Sequence, residues 1–548
     1  MPNIKINKKE FEGLLGEEVS DEKLKEEASY LGAHWNPVEG KKWEVEVYPN
    51  RPDLLSVEGL ARVYKGFFEY ETGLKKYNVE KSKTKINVEE SVKDVRPHIG
   101  GAIVRDVELT QRTINGLIQL QEKLHMSVGR RRDKIAIGLH DLEQVKPPFT
   151  YKAVEPQQVS FKPLEYNDEI HLEEILDEHE KGQEYAWILE DEEEYPVIVD
   201  DNSKVLSFPP IINNQLTEVD TQTTDIFIDV TGKDKQTVQK VLNILSTALG
   251  ERGGQIESVK VDGEEMPKLK PETKVLDVEY FREISGLDLD KQEIKKRLEM
   301  MRLGVKKKKN KLKVKVPSYR NDIMHQYDLI EEIVIAHRYT NIEPELPEID
   351  QQGQEKEITE FAELLSQILK GTNALETHTF TLSNKQKLYD KMERQRDGNV
   401  AEMENSLTEE YTVLRNWLLP DMMETLQRNK HHSYPQQFYE IEDVVEIKEG
   451  DAINKKKLIF VSSGQKKDYT DARETLQVIE RDIGVKFELD KKEIPFAKPG
   501  RSATIEAQSE EIGFIAELSE NTLDNWELEN ATAALEIDVE KLFEAVKK

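Results

Sequence analysis

Along the chain, stretches of 3.6-residue hydrophobic periodicity alternate with stretches of period two, and they fall into successive groups. Over residues 1–80 the pattern predicts a helical stretch at 8–31, a strand at 43–48 and an amphipathic helix opening at Arg51-Pro52-Asp53, where Leu54, Val57, Leu60, Ala61 and Tyr64 recur at helical spacing. The polar stretch that follows has no clear period, and a linker is expected at 81–95. Over 96–265, strands at 102–107, 134–139 and 226–230 are interspersed with helices at 111–126 and 236–248. A block at 268–346 reads as a strand (275–278), two short helices, a hairpin turning at Asn310 and a long helix at 323–338. The last block, 350–548, mixes a helix (414–429) with strands at 437–446, 502–506 and 512–517 and a closing helix at 539–546. The expectation is a multidomain α+β chain.

Composition refines this. Hydrophobic residues make up 37% of the 548 positions, enough to fill several cores, but 78 Lys+Arg against 108 Asp+Glu leave a net charge of −30. A general nucleic-acid coat is excluded, because phosphate would meet a repulsive field, so any RNA contact must be local. Residues 165–195 hold 14 acids and one lysine, which reads as a solvated helix and loop or as a docking surface for a basic partner. By contrast, 302–320 hold nine basic residues and no acid, and alternation sets Lys311, Lys313 and Lys315 on one face and Leu312, Val314 and Val316 on the other. That face is a candidate contact for RNA or an acidic partner; the alternative is an ordinary solvated hairpin. Cysteine is absent, which removes disulfides, thiolate zinc sites and Cys nucleophiles. The charged start and the lack of a long apolar run lead to the expectation of a soluble, cytoplasmic protein.

No phosphate-binding loop, zinc-helix, nucleophile-elbow or dinucleotide fingerprint is found. On the helix after Arg320, Asp328, Glu331 and Glu332 stand at i, i+3 and i+4, with Asp322 just before it. Like charges so spaced cost about 0.2–0.5 kcal/mol per pair unless a divalent cation or a basic group of another chain neutralises them; taken alone, the pattern reads as a solvated face. An internal echo, Arg51-Pro52-Asp53 and Arg320-Asn321-Asp322, puts an aspartate before a helix each time, where it can serve as N-cap.

Seven strings in order carry a resemblance: 48–62 (YPNRPDLLSVEGLAR), 136–142 (AIGLHDL), 206–213 (LSFPPIIN), 227–232 (FIDVTG), 320–332 (RNDIMHQYDLIEE), 412–420 (TVLRNWLLP) and 499–503 (PGRSA). The chain resembles the β subunits of phenylalanyl-tRNA synthetases of the archaeal and eukaryotic type over essentially its whole length. The resemblance implies an N-terminal α/β module, an editing domain at 96–265, a small α/β metal-containing domain at 268–346 and a C-terminal class II synthetase-like antiparallel sheet with helices. It implies an (αβ)2 heterotetramer with an α subunit that attaches phenylalanine to tRNA(Phe), with ATP as substrate at the α-subunit site. It implies Mg2+, shared with the α subunit, on Asp322, Asp328, Glu331 and Glu332. Editing would hydrolyse mischarged tyrosyl-tRNA, with Ser207, Asn213, Asn214, Asp229 and Thr231 as pocket candidates. His140 before Asp141 reads as a structural histidine or as half of a catalytic pair. The alternative is a scaffold subunit without editing activity. Leu139 and Lys498 depart from the residues expected in their strings, a small hydroxyl residue and a histidine.

Overall fold

The computed structural model describes residues 2–38 and 42–547, which divide into two compact units, 1–345 and 346–548. In the first unit, strands Asn3–Asn7, Lys42–Val47 and Ala33–Val38 pair in that order into an antiparallel sheet. The helical stretch expected at 8–31 is two helices, Lys8–Leu15 and Asp21–Ala28, because Gly16 takes φ 87° and ends the first in a left-handed cap. Helix Val57–Phe67 begins after Ser56, whose hydroxyl accepts from the Gly59 N–H.

The linker expected at 81–95 is not found: Val79–Val88 is a strand inside a ten-stranded sheet, paired in parallel with Phe149–Val154 and with Gln255–Val261. Its period of two is disguised by polar residue types. Lys81, Lys83 and Lys85 point to solvent, while Thr84 and Ile86 are buried. Across the sheet the strands run Ile212–Asn213, Val205–Phe208, Tyr195–Val199, 149–154, 79–88, 255–261, His98–Arg105, Ile226–Gly232 and Ile135–Asp141. Helix Lys235–Glu251 covers strands 98–105 and 226–232 on one face, burying Val238, Val241, Leu242 and Leu245. The two ends of the sheet approach each other, since Asn213 Nδ2 donates to the Leu139 carbonyl at 3.4 Å and His140 meets Thr217. This curl encloses the cavity described below. The acidic segment 165–195 is two short helices, Leu172–Glu178 and Glu180–Tyr185, seated by Leu172, Ile175 and Tyr185.

The block after Glu272 has a three-stranded sheet, Glu272–Asp277, Lys311–Val316 and Gly304–Lys308, with 311–316 in the centre, and helices Val278–Ser285, Lys291–Met300 and Gln326–His337. The last helix starts three residues later than expected. His325 and Asp328 form a reciprocal capping box that fixes its first turn.

The second unit is built on a seven-stranded sheet in the order Leu375–Glu376, Gln436–Lys448, Asp451–Ser463, Thr532–Asp538, Glu510–Leu518, Ala497–Ala507 and Phe487–Lys491, antiparallel except for its first pair. One core combines Leu365 and Leu369 of helix Glu357–Gly371, Leu476 and Ile479 of helix Tyr469–Ile483, and Leu542 of helix Val539–Lys547. A second holds Trp417, Trp526 and Met422. The helix expected at 414–429 is Leu419–Arg428, with Pro420 in its first turn, while Val413–Leu414 is a strand paired with Leu382–Ser383. Buried Arg415 donates to Thr379 Oγ1 (2.6 Å) and pairs with Glu440 (3.0 Å) and Asp421 (3.3 Å). Burial nevertheless pushes the Asp421 carboxyl up to about 7.

Candidate functional site

The edge strand 135–141 and its neighbour 226–232 form the floor of the cavity. They pair antiparallel with Ala136 opposite Thr231, Gly138 opposite Asp229 and His140 opposite Phe227. Alternation puts Phe227, Asp229 and Thr231 on one face and leaves Ile226, Ile228 and Val230 for the other. Gly138 is required here, because a Cβ at this position would lie 1.9 Å from Asp229 Oδ2 and 2.6 Å from His140 Nε2. The space it leaves lets His140 Nε2 meet Asp229 Oδ2 at 2.8 Å, while His140 Nδ1 meets Thr217 Oγ1 at 2.8 Å. His140 is fully buried and lies behind the cavity wall, whereas Asp229 lines it; among the described residues Asp229 Oδ1 has no hydrogen bond or ion pair. Thr231 is held from below: buried Arg96 donates from Nε to Thr231 Oγ1 (3.0 Å), leaving the threonine O–H free to donate. Burial lowers the Arg96 guanidinium to about 10, so it stays charged at neutral pH.

The cavity has a volume of about 410 Å3. Helix Gln111–Met126 supplies Ile114, Leu117, Ile118 and Gln121, and the opposite wall carries Ser207, Phe208, Pro209, Pro210 and Asn213. Arg132 spans the two: Nη1 donates to the Ile211 carbonyl (2.7 Å), Nη2 donates to Glu122 Oε1 (2.9 Å), and the guanidinium lies 4.3 Å from the centre of the Tyr185 ring. Burial pushes Glu122 up, but the hydrogen bond from His125 and the Arg132 charge outweigh it and hold the carboxyl at about 2. His125 accepts the Ile137 N–H on Nε2 (2.8 Å), and burial lowers it to about 4. At neutral pH it is therefore uncharged and holds Glu122 by a hydrogen bond, the charge coming from Arg132. Two buried polar atoms of the lining, Ser207 Oγ and Arg132 Nε, have no hydrogen-bond partner. Such atoms are rare in a folded chain, and a ligand or water can complete their bonding.

Four of the five pocket candidates therefore converge, since Ser207, Asn213, Asp229 and Thr231 all line the cavity. Asn214 does not: its Nδ2 donates to the Val205 carbonyl (2.7 Å) and its Oδ1 accepts the Leu216 N–H (2.9 Å), so it serves as a turn cap. Leu139 lines the cavity as an apolar residue. Arg96, Glu122, His125 and Arg132 were not anticipated. The one local signal was the run Arg130-Arg131-Arg132 between a helix and a strand in an acidic chain.

The acidic cluster near Arg320 is built differently. Asp322 receives Arg320 Nε on Oδ1 (2.8 Å) and Nη2 on Oδ2 (2.5 Å), and Glu332 receives Nη1 on Oε2 (2.9 Å) with Nη2 2.8 Å from Oε1. Burial raises Asp322, but the Arg320 charge and hydrogen bonds outweigh it and hold the carboxyl at about 2. Asp328 Oδ2 accepts the N–H groups of Met324 and His325, both at 2.7 Å. Glu331 is exposed and has no hydrogen bond or ion pair among the described residues. Among the described residues no group of three or more His, Asp or Glu side chains is placed to hold a metal ion. The set expected to bind Mg2+ does not fit one as folded, because a guanidinium already neutralises two of its carboxylates. The echoed Arg51-x-Asp53 is built alike, with Nε–Oδ1 and Nη2–Oδ2 both 2.9 Å. Neither aspartate is an N-cap, as Ser56 and His325 take that place.

On strand 311–316 the lysines are exposed and Leu312, Val314 and Val316 buried; Lys311 pairs with Asp277 at 3.3 Å, while Lys313 and Lys315 have no ion pair among the described residues. Also among the described residues, no helix is long and apolar enough to cross a membrane.

These features coincide with known families. Residues 102–260 match the B3/4 domain, 275–339 the tRNA synthetase B5 domain, and 342–539 the phenylalanyl-tRNA synthetase beta chain CLM domain, which places the chain among the aminoacyl-tRNA synthetases. It is 37% identical to the phenylalanine–tRNA ligase beta subunit of Thermococcus kodakarensis over 99% of both chains, and 38% identical to that of Pyrococcus horikoshii over 99% of this chain and all of the relative. The beta subunit of Archaeoglobus fulgidus is 39% identical over 99% of both. A crystal structure of an N-terminal fragment of the P. horikoshii synthetase beta subunit is 40% identical and covers 61% of this chain and 99% of the fragment, with a TM-score of 0.59. The chain belongs to the phenylalanine–tRNA ligase beta-subunit family.

Proposed function

We propose that this β subunit, besides supporting attachment of phenylalanine to tRNA(Phe), hydrolyses mischarged tyrosyl-tRNA(Phe) in the cavity over strands 135–141 and 226–232. It works with an α subunit in an (αβ)2 heterotetramer, and ATP is consumed at the α-subunit site. Mg2+ is assigned to the α-subunit side, since Asp322 and Glu332 are occupied by Arg320. The observation that carries the reading is a carboxylate with one oxygen fixed and the other free: His140 holds Asp229 Oδ2, and Oδ1 has no partner among the described residues. A water on Oδ1 attacks the ester carbonyl, Asp229 takes its proton, and the free Thr231 O–H donates to the carbonyl oxygen as charge builds there; the acyl C–O bond then breaks and Asp229 returns the proton to the departing ribose oxygen. The tyrosyl acid and the 3′-terminal ribose hydroxyl are the products, and no covalent nucleophile is needed.

Ser207 Oγ supports the choice of substrate. A phenol hydroxyl satisfies this buried, unpartnered atom, whereas phenylalanine leaves it unpaired, a difference of about 1–3 kcal/mol or roughly 5- to 150-fold. The apolar lining accepts either ring. The test is hydrolysis of tyrosyl-tRNA(Phe) and phenylalanyl-tRNA(Phe) by the αβ complex. The tyrosyl ester is expected to be hydrolysed at least ~10-fold faster, with Ser207→Ala collapsing the ratio. Tyrosyl hydrolysis no faster than in buffer would establish the scaffold reading instead. The lysine face of strand 311–316 is assigned to tRNA backbone contact.

A further inference from the structure

Resting on the hydrolytic reading of the cavity, we propose that the turn at Gly129–Arg132 grips the RNA phosphodiester next to the ester, through Arg130 and Arg131. Three successive residues of this turn, Arg130, Arg131 and Arg132, have φ of 49°, 56° and 68°. Side chains other than glycine seldom enter that region, and a run of three arginines there runs against local preference. Strain of this kind persists only where surrounding bonds fix it. Here they do: buried Arg96 donates from Nη1 to the Asp133 carbonyl (2.9 Å) and from Nη2 to the Arg132 carbonyl (3.0 Å). The Lys134 N–H closes the turn on the Gly129 carbonyl at 2.9 Å.

The third arginine of the turn reaches the cavity, where its Nε has no partner. Arg130 and Arg131 do nothing comparable for the fold. Both are exposed, and neither makes a hydrogen bond or ion pair through its side chain among the described residues, in a chain where acids outnumber bases by 108 to 78. The neighbouring basic side chains are engaged, Lys233 with Asp133 at 2.8 Å and Lys134 with Asp234 at 3.8 Å. Two free guanidinium groups thus stand on the turn whose last residue lines the cavity. The ester to be cut sits at the end of a polynucleotide, so its nearest phosphodiester lies about one nucleotide from the cavity. Guanidinium forks suit phosphate oxygens in both geometry and charge. An acidic segment of the partner subunit would also attract two arginines, and the test separates the two.

The αβ complex is prepared with Arg130→Asn and Arg131→Asn together, since asparagine tolerates positive φ and removes the charge. Hydrolysis is followed on tyrosyl-tRNA(Phe) and on the phosphate-free tyrosyl ester of adenosine. The expected result is a rise of at least ~10-fold in the KM ratio of the first substrate to the second, and a fall of about 1.4 in the salt slope for tRNA, from two contacts on a single strand. A KM ratio and slope like those of the unmodified complex would overturn the proposal. So would weakened α-subunit association at unchanged RNA affinity, which would give these arginines to the partner chain. A second readout needs no catalysis: affinity of the complex for a 3′-terminal RNA oligonucleotide ending in a non-hydrolysable tyrosyl amide. If neither substrate is hydrolysed but oligonucleotide affinity falls with the double variant, the hydrolytic reading fails and the phosphate grip stands. If hydrolysis proceeds and oligonucleotide affinity does not change, the grip fails and the hydrolytic reading stands.

Discussion

The Asp229 cavity and the Arg320 cluster both bury carboxylates, yet they use them in opposite ways. At Arg320 one guanidinium engages four carboxylate oxygens, two of Asp322 and two of Glu332, although the neighbouring Asn321 Oδ1 has no partner among the described residues. In the cavity, His140 engages one oxygen of Asp229, while among the described residues the other oxygen, Ser207 Oγ and Arg132 Nε have no partner. The first arrangement holds a turn against a helix; the second leaves polar atoms open to the cavity. A count of acids cannot separate the two, but the pairing of the buried carboxylate oxygens can.

The largest expected effect falls on the closed cluster. Arg320→Met leaves Asp322 and Glu332 buried without a partner and should destabilise the protein by about 3–5 kcal/mol in chemical denaturation, with Asp322→Asn and Glu332→Gln added restoring part of it. A loss under ~1 kcal/mol would show that the cluster is not a closed structural unit. Next in size is an acid effect at the cavity wall. His125 has its folded pKa depressed from 6.5 to about 4. Its contribution is therefore fully present above the unfolded value near 6.5 and is lost as pH falls through 4, about 3 kcal/mol in all. Denaturation midpoints between pH 7 and 4 should show this loss, and His125→Asn should flatten it.

Gly138→Ala tests the cavity without substituting its polar residues. The added methyl must displace Asp229 or His140, so hydrolysis should fall about 100-fold, the scale of a 1 Å misplacement; activity within twofold of the unmodified complex would refute the fixed Asp229–His140 geometry. Smaller still, replacing Lys311, Lys313 and Lys315 by glutamine should lower the salt slope of tRNA binding by about 2 to 3, and an unchanged slope returns that face to plain solvation. Smallest is the response to Mg2+. Millimolar Mg2+ should leave the melting temperature of the β chain unchanged, and a rise would restore a metal to the acidic cluster.

Much of this could be read from the chain. The strands expected at 134–139 and 226–230 and the strings around Ser207 and Asp229 fall on the floor and wall of the cavity, because strand-forming runs and local strings survive without knowledge of the fold. Arg96 could not be read, since it follows a strand whose inward side carries Ser82 and Thr84 and so resembled a linker. Nor could the approach of the sheet ends, which joins Leu139 to Asn213 across 74 positions. Arg320 was misleading for a related reason. It closes the most basic stretch of the chain, yet it is buried, and only the fold brings Glu332 to it.

The most direct test of the account is the rate at which the αβ complex hydrolyses tyrosyl-tRNA(Phe), with and without Asp229→Asn. That substitution keeps the side chain's shape and removes the oxygen that takes the proton. The account predicts hydrolysis well above the buffer rate in the unmodified complex and a loss of about 100-fold or more in the variant. Equal rates in the two proteins would contradict it.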